Sequence, residues 1–128
     1  MLVMRKIWAV KAEVIEMINE AAVNTFPKEF IAALRAEEGV ITELLLLPGS
    51  ITGDSFSQLQ LWNLPIDYSV AGSVHSHPGY SNRPSSQDLI FFSHFGMVHI
   101  ITCLPFDDSS WKAYNLSGER IELQVLLR

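Results

Sequence analysis

An α/β domain, with a single mixed β-sheet flanked by two helices, is the fold class this sequence predicts. Three observations carry that expectation. The segment from Lys11 to Asn24 has the apolar spacing of an amphipathic helix. A second helix opens near Ser85, behind a stretch of turn formers. The intervening and following runs are short, apolar or alternating, and bounded by Pro, Gly, Asn and Asp, which suits about six or seven strands.

Taken in order, Val14, Ile15, Ile18, Ala21 and Ala22 line one face of the first helix, with Lys11, Glu13, Glu16 and Glu20 mostly on the wet side. Pro27 ends it. Phe26-Pro27-Lys28-Glu29-Phe30 then leads into Ile31-Ala32-Ala33-Leu34, a short apolar strand. Glu37-Glu38-Gly39 turns into a second strand, Val40 to Leu47, and the two are expected to pair antiparallel. Pro48-Gly49-Ser50 and Thr52-Gly53-Asp54 punctuate a loop, and Ser55 to Leu61 reads as a weaker strand whose alternation slips between Phe56 and Leu59. Val70 to Val74 is a buried strand running into two histidines. The second helix spans Ser85 to Phe95, with Leu89, Phe92 and Phe95 expected inward and Gly96 as its C-cap. His99 to Leu104 is a β-branched run stopped by Pro105. Trp111 to Tyr114 and the cleanly alternating Ile121 to Val125 complete the sheet.

Length and composition narrow the class. At 128 residues the whole chain, 1–128, reads as a single domain. Hydrophobic residues at 48% against 18% charged describe a globular chain, not a disordered one. Nine basic against fourteen acidic residues give a net charge of −5, so there is no basic footprint for nucleic acid. Cys103 is the single cysteine, which excludes an internal disulfide framework and fits a reducing compartment. The N-terminal residues lack an apolar run of signal-peptide length, and no window approaches the ~20 apolar residues of a membrane span. A cytoplasmic location without membrane attachment is therefore expected.

The chemistry concentrates in His75-Ser76-His77-Pro78, followed by Gly79-Tyr80-Ser81-Asn82-Arg83-Pro84 and Ser85-Ser86-Gln87-Asp88. Side chains two apart on a strand share a face, so His75 and His77 can take two corners of a tetrahedral metal site. Pro78 stops the strand. Ser85 reads as a helix N-cap with Asp88 three positions on, which places a carboxylate in the first turn where it can fold back toward the histidines. Ser86 is the alternative cap.

At this point the chain resembles a known family. His75-x-His77, ten residues, then Asp88, with Ser85 three before the Asp and Glu29 upstream, is similar to the JAMM (MPN-plus) zinc metalloprotease motif. The likeness runs from about Lys11 to the end and is strongest for the small prokaryotic, archaeal-type desampylase or deubiquitinase-like members. It implies a cytidine-deaminase-like α/β domain with zinc at the end of the sheet. It also implies His75, His77 and Asp88 as metal ligands, Glu29 as general base, and Ser85 as a donor to the oxyanion of the tetrahedral intermediate. Three protein ligands and an open fourth position suit a hydrolytic zinc. The spacing around the histidines offers no adjacent Glu of the His-Glu-x-x-His kind, so a base must come from elsewhere in the chain. Glu29, at the entrance of an apolar strand, is a costly place for an ionisable group without a task. Family members usually carry Gly three residues after this Glu, where this chain has Ala32.

The implied activity is hydrolysis of the bond joining the C-terminal Gly of a ubiquitin-like or sulfur-carrier modifier to a lysine. Trimming a residue such as cysteine from a sulfur-carrier C-terminus is the second enzymatic reading. A non-catalytic scaffold is disfavoured because Glu29, His75, His77, Ser85 and Asp88 are all present, and a zinc deaminase because it needs a Pro-Cys-x-x-Cys run. The Ser50–Leu61 stretch is the expected sheet edge for an extended modifier tail. The chain is expected to be a monomer, or a homodimer through an edge such as Ile121–Leu127. Cys103 reads as a packed thiol, and His94 as a partner of the last helical carbonyls. His99 reads as a strand residue, the Trp residues as core or edge cover, and Asp107-Asp108 as a turn.

Overall fold

The computed structural model describes residues 6–46 and 70–127. In chain order these form β1 (Ala9–Lys11), α1 (Ala12–Thr25), β2 (Ile31–Glu37), β3 (Val40–Leu45), β4 (Val70–Ser76), α2 (Ser86–Phe92), β5 (Val98–Thr102), β6 (Trp111–Asn115), β7 (Arg120–Ile121) and β8 (Gln124–Leu126). The strand from Ser55 to Leu61 and the modifier-binding edge expected over Ser50–Leu61 lie outside the described residues.

The strands make one mixed sheet of eight in the order β7-β6-β5-β4-β2-β3-β1-β8. The hairpin β2–β3 is antiparallel as expected, and β2 also pairs antiparallel with β4. β4 and β5 run parallel, so their carboxyl ends emerge side by side. Gly72 is required there, because a Cβ on it would lie 1.6 Å from the Val98 carbonyl oxygen.

Two features of the sheet differ from the sequence expectation. Among the described residues there are eight strands, against about six or seven expected for the whole chain, because Ala9–Lys11 forms a strand ahead of the helix and the last run supplies two strands instead of one. Three residues are too few to show a period. The alternating run Ile121 to Val125 is not one strand: β7 pairs with β6 at one edge and β8 pairs parallel with β1 at the other. Three Cα steps, at most about 11 Å, separate Ile121 from Gln124. The sheet therefore curls until its two edges nearly meet, and no single Ile121–Leu127 edge exists to carry a dimer contact.

The curl wraps α1. Val14, Ile15 and Ile18 of the helix pack with Val10, Ala32, Leu34, Ile41, Val74, Val98, Ile100 and Ala113, which draws on β1 through β6. The opposite face carries α2 and a smaller cluster of Ile31, Ala33, Phe91, Phe92, Ile101 and Tyr114. Here the helix phase also departs from expectation. Asp88, Phe91 and Phe92 are the buried positions of α2, while Leu89 points outward and is 41% exposed. Phe95 is half-buried and stacks on Phe91 at 5.6 Å. The helix ends at Phe92 rather than Phe95, and its C-cap is Ser93. Gly96 instead takes φ +74° where a Cβ would meet the Ala71 carbonyl oxygen at 2.6 Å. Among the described residues no helix is long and apolar enough to cross a membrane.

Candidate metal centre

β4 delivers the histidines. Along it Val74 faces α1, so Ser73 and His75 face α2. His77 lies just past the strand end, where its backbone N–H donates to the Thr102 carbonyl at 2.8 Å and prolongs the β4–β5 pairing. From the other side, Ser85 caps α2 and aims Asp88 at the same point. Ser85 Oγ accepts from the Asp88 backbone N–H at 3.1 Å, and the Ser85 N–H donates to Asp88 Oδ2 at 2.8 Å. This reciprocal box settles the cap on Ser85 rather than Ser86.

The three side chains converge. His75 Nε2 and His77 Nε2 are 3.1 Å apart, and each is 3.2 Å from one oxygen of Asp88. A tetrahedral zinc with ligand bonds of about 2.0–2.1 Å separates neighbouring ligand atoms by about 3.3–3.4 Å. The two nitrogens, and each nitrogen with its own Asp88 oxygen (Oδ1 for His75, Oδ2 for His77), are within a few tenths of an ångström of that spacing. His77 Nδ1–H donates to the Ser81 carbonyl at 2.9 Å. A carbonyl only accepts, so Nδ1 keeps its proton, and Nε2, the nitrogen facing Asp88, is the one that gives up its proton to hold a metal. Two nitrogens and one carboxylate oxygen form a borderline-hard donor set suited to zinc.

The electrostatics match a site prepared for positive charge. Burial alone would push the Asp88 carboxyl up, but hydrogen bonds from His75 and His77 and from the Ser85 N–H hold it well below the usual carboxylate range. Burial would likewise lower His77, and Asp88 together with the Ser81 carbonyl more than reverses that.

Glu29 stands beside this cluster. Ile31 pairs with His75, and the pairing continues one step through Ser76 N–H to Phe30 O at 2.9 Å and Phe30 N–H to Ser76 Oγ at 2.8 Å. That brings Glu29 abreast of His77, on the face shared by Ile31 and His75. The carboxylate is half-buried, and burial raises its pKa even though His75 and His77 pull it down.

Comparison with known proteins fits this geometry. Residues 11–114 match the family model for prokaryotic homologs of the JAB domain. The chain belongs to this family. A "probable metalloprotease" of Haloferax volcanii is 33% identical over 132 residues, covering 95% of this chain and 81% of that protein. A solved structure described as JAMM, a metalloprotease-like zinc site in the proteasome and signalosome, is 39% identical with a TM-score of 0.75, over 94% of this chain and 99% of that one. A JAB1/MPN domain protein from Archaeoglobus fulgidus matches at 39% identity and TM-score 0.75, over 93% and 96% of the two chains. The chain is thus a small prokaryotic JAMM protein, a metalloprotease of the zinc type, and the His75–His77–Asp88 cluster has the donors and spacing that zinc takes.

The residues set aside in the sequence fall where their chemistry suggests. Cys103 is buried with its thiol donating to the Ser110 carbonyl at 3.4 Å, and burial raises its pKa. His94 Nδ1 lies 2.9 Å from the Ile90 carbonyl near the end of α2. Asp107 accepts from Ser109 and Ser110 in a turn. Trp8 is 45% exposed, Trp111 is half-buried and packs against the core around α1, and Trp62 lies outside the described residues.

His99 has a larger structural part than its sequence position suggests. It is fully buried, pairs with Ser73 Oγ at 2.7 Å and stacks on Phe92 at 4.1 Å beneath His75. Burial, helped by the nearby His75, lowers its pKa from 6.5 to about 3. Between those values the unfolded chain takes up a proton that the folded chain refuses, so stability falls as pH drops through this window. The slope contributed is up to about 1.4 kcal/mol per pH unit. Urea unfolding of metal-free protein at pH 7 and pH 5 should show a smaller loss in His99→Gln than in wild type. Equal losses would contradict this role.

Proposed function

We propose that the protein is a zinc-dependent isopeptidase that releases a ubiquitin-like or sulfur-carrier modifier from lysine by hydrolysing the amide at the modifier's C-terminal Gly. The observation that carries the reading is the convergence of His75, His77 and Asp88 at tetrahedral spacing with the Glu29 carboxylate at the adjoining strand end. In this reading His75, His77 and Asp88 hold the metal. When bound there, zinc supplies Lewis acidity that polarises a carbonyl and brings the pKa of a water toward neutrality.

The chain's own residues do the rest. Hydrolysis forms a carbonyl C–O bond, breaks the C–N bond and moves one proton from water to the departing lysine amine. Glu29 takes that proton and passes it on. Its raised pKa makes it a better proton acceptor than an exposed carboxylate, and half-burial keeps it close to bulk exchange. Ser85 Oγ already accepts from the Asp88 N–H, which leaves its own O–H to donate to the oxyanion that develops on the substrate. Ser85→Ala is expected to lower kcat about 10²–10³-fold and to cost about 0.5–2 kcal/mol of stability through the lost cap. A variant that is less stable yet fully active would reduce Ser85 to a cap alone.

The substrate is tested directly by mass spectrometry, with a chelator control, on a ubiquitin-like carrier joined to a lysine side chain and, separately, to a C-terminal cysteine. Chelator-sensitive release from lysine is the expected result. Release from the cysteine adduct alone would replace the isopeptidase reading with carrier processing by the same residues.

A further inference from the structure

The ten residues between His77 and Asp88 carry both the carbonyl that fixes the His77 tautomer and the cap that aims Asp88, yet they form no strand or helix before Ser86. Something outside the loop must hold them. Leu104 N–H donates to the Gly79 carbonyl at 2.9 Å near the start of the loop. At its middle, Tyr114 Oη donates to the Asn82 carbonyl at 2.8 Å, and Asn82 Nδ2 donates to the Ser110 carbonyl at 2.9 Å. Asn82 directly follows Ser81, whose carbonyl receives the His77 Nδ1 proton.

We propose that Tyr114 and Asn82 are positioning residues for the metal centre, tying the ligand loop to β6 and to the 103–110 segment so that the Ser81 carbonyl stays aligned with His77. The inference rests on the assignment of His77 as a ligand. Tyr114 is suited to the task because its ring is buried and stacked on Phe92 at 6.3 Å, which fixes the phenol before it reaches the loop. A hydroxyl on a ring held from below is a stiffer tether than a flexible surface side chain. Asn82 serves as the other half of the clasp, accepting through its backbone and donating through its amide. Without these ties the Ser81 carbonyl can swing off Nδ1, and the imidazole loses its fixed tautomer and orientation, which metal ligands need.

The test is the zinc affinity of the folded metal-free protein, measured by competition with a chromogenic chelator. Tyr114→Phe deletes only the donor and keeps the ring on Phe92. It and Asn82→Ala are each expected to weaken zinc binding about tenfold, the lower end of the effect of removing a ligand's supporting partner. Asn115→Ala is the control. It sits next along β6 and removes the acceptor for the Ser117 and Glu119 N–H groups, so it lowers stability without touching the loop. Its zinc affinity should equal wild type. Tyr114→Phe and Asn82→Ala binding no more weakly than Asn115→Ala would overturn the proposal. His77→Ala measured alongside separates the two levels. If it loses zinc while Tyr114→Phe binds normally, only the clasp fails, and if it retains zinc, the ligand assignment itself fails.

Discussion

Glu29→Gln is expected to retain stoichiometric zinc and to lose hydrolysis, with kcat/KM falling about 10²–10⁴-fold, the usual contribution of a positioned general base. Gln matches Glu in shape and can keep hydrogen bonds to a bound water, but it cannot accept the proton. The substitution should not unfold the protein, because burial already disfavours the charged carboxylate there and a neutral amide removes that cost. Steady-state kinetics and elemental analysis on the same preparation separate the effects. Full activity would remove Glu29 from the mechanism, and lost zinc would place Glu29 among the groups that hold the metal.

His77→Ala is expected to abolish both zinc retention and activity. It deletes one of three donors, and it also removes a hydrogen bond to the buried Asp88 that keeps that carboxylate charged. Zinc that binds only the folded state raises its stability, by about 4 kcal/mol at a thousandfold excess over Kd. Wild-type thermal stability should therefore rise on zinc addition, while that of His77→Ala should not. Unchanged zinc content in the variant would contradict the ligand assignment.

The two predictions depend on different parts of the chain, and these were not equally legible in the sequence. His75, His77 and Asp88 could be read locally, because strand alternation and a helix cap act over a few residues. Glu29 could be placed beside them only through the family resemblance. Its position depends on β2 pairing with β4 across more than forty residues, and no local pattern encodes that register. The same reason hides Tyr114 and Asn82, which are thirty-two residues apart and meet only through the fold. The outward position of Leu89, by contrast, does have a local signal. If Asp88 faces the site, helical spacing puts Phe91, Phe92 and Phe95 on its side and Leu89 off it. The Ile121–Val125 run misled for the opposite reason. Its alternation is real, but the chain crosses from one sheet edge to the other within it, and a period of two carries no record of which edge it serves.

The identity and number of zinc ligands is the most direct test of the account, and X-ray absorption at the zinc edge of the loaded protein reads it. The expected spectrum has two imidazole nitrogens and oxygen neighbours at about 2.0–2.2 Å and no sulfur, since Cys103 is packed away on the Ser110 carbonyl. A sulfur shell at about 2.3 Å, or a single imidazole, would contradict a centre built from His75, His77 and Asp88.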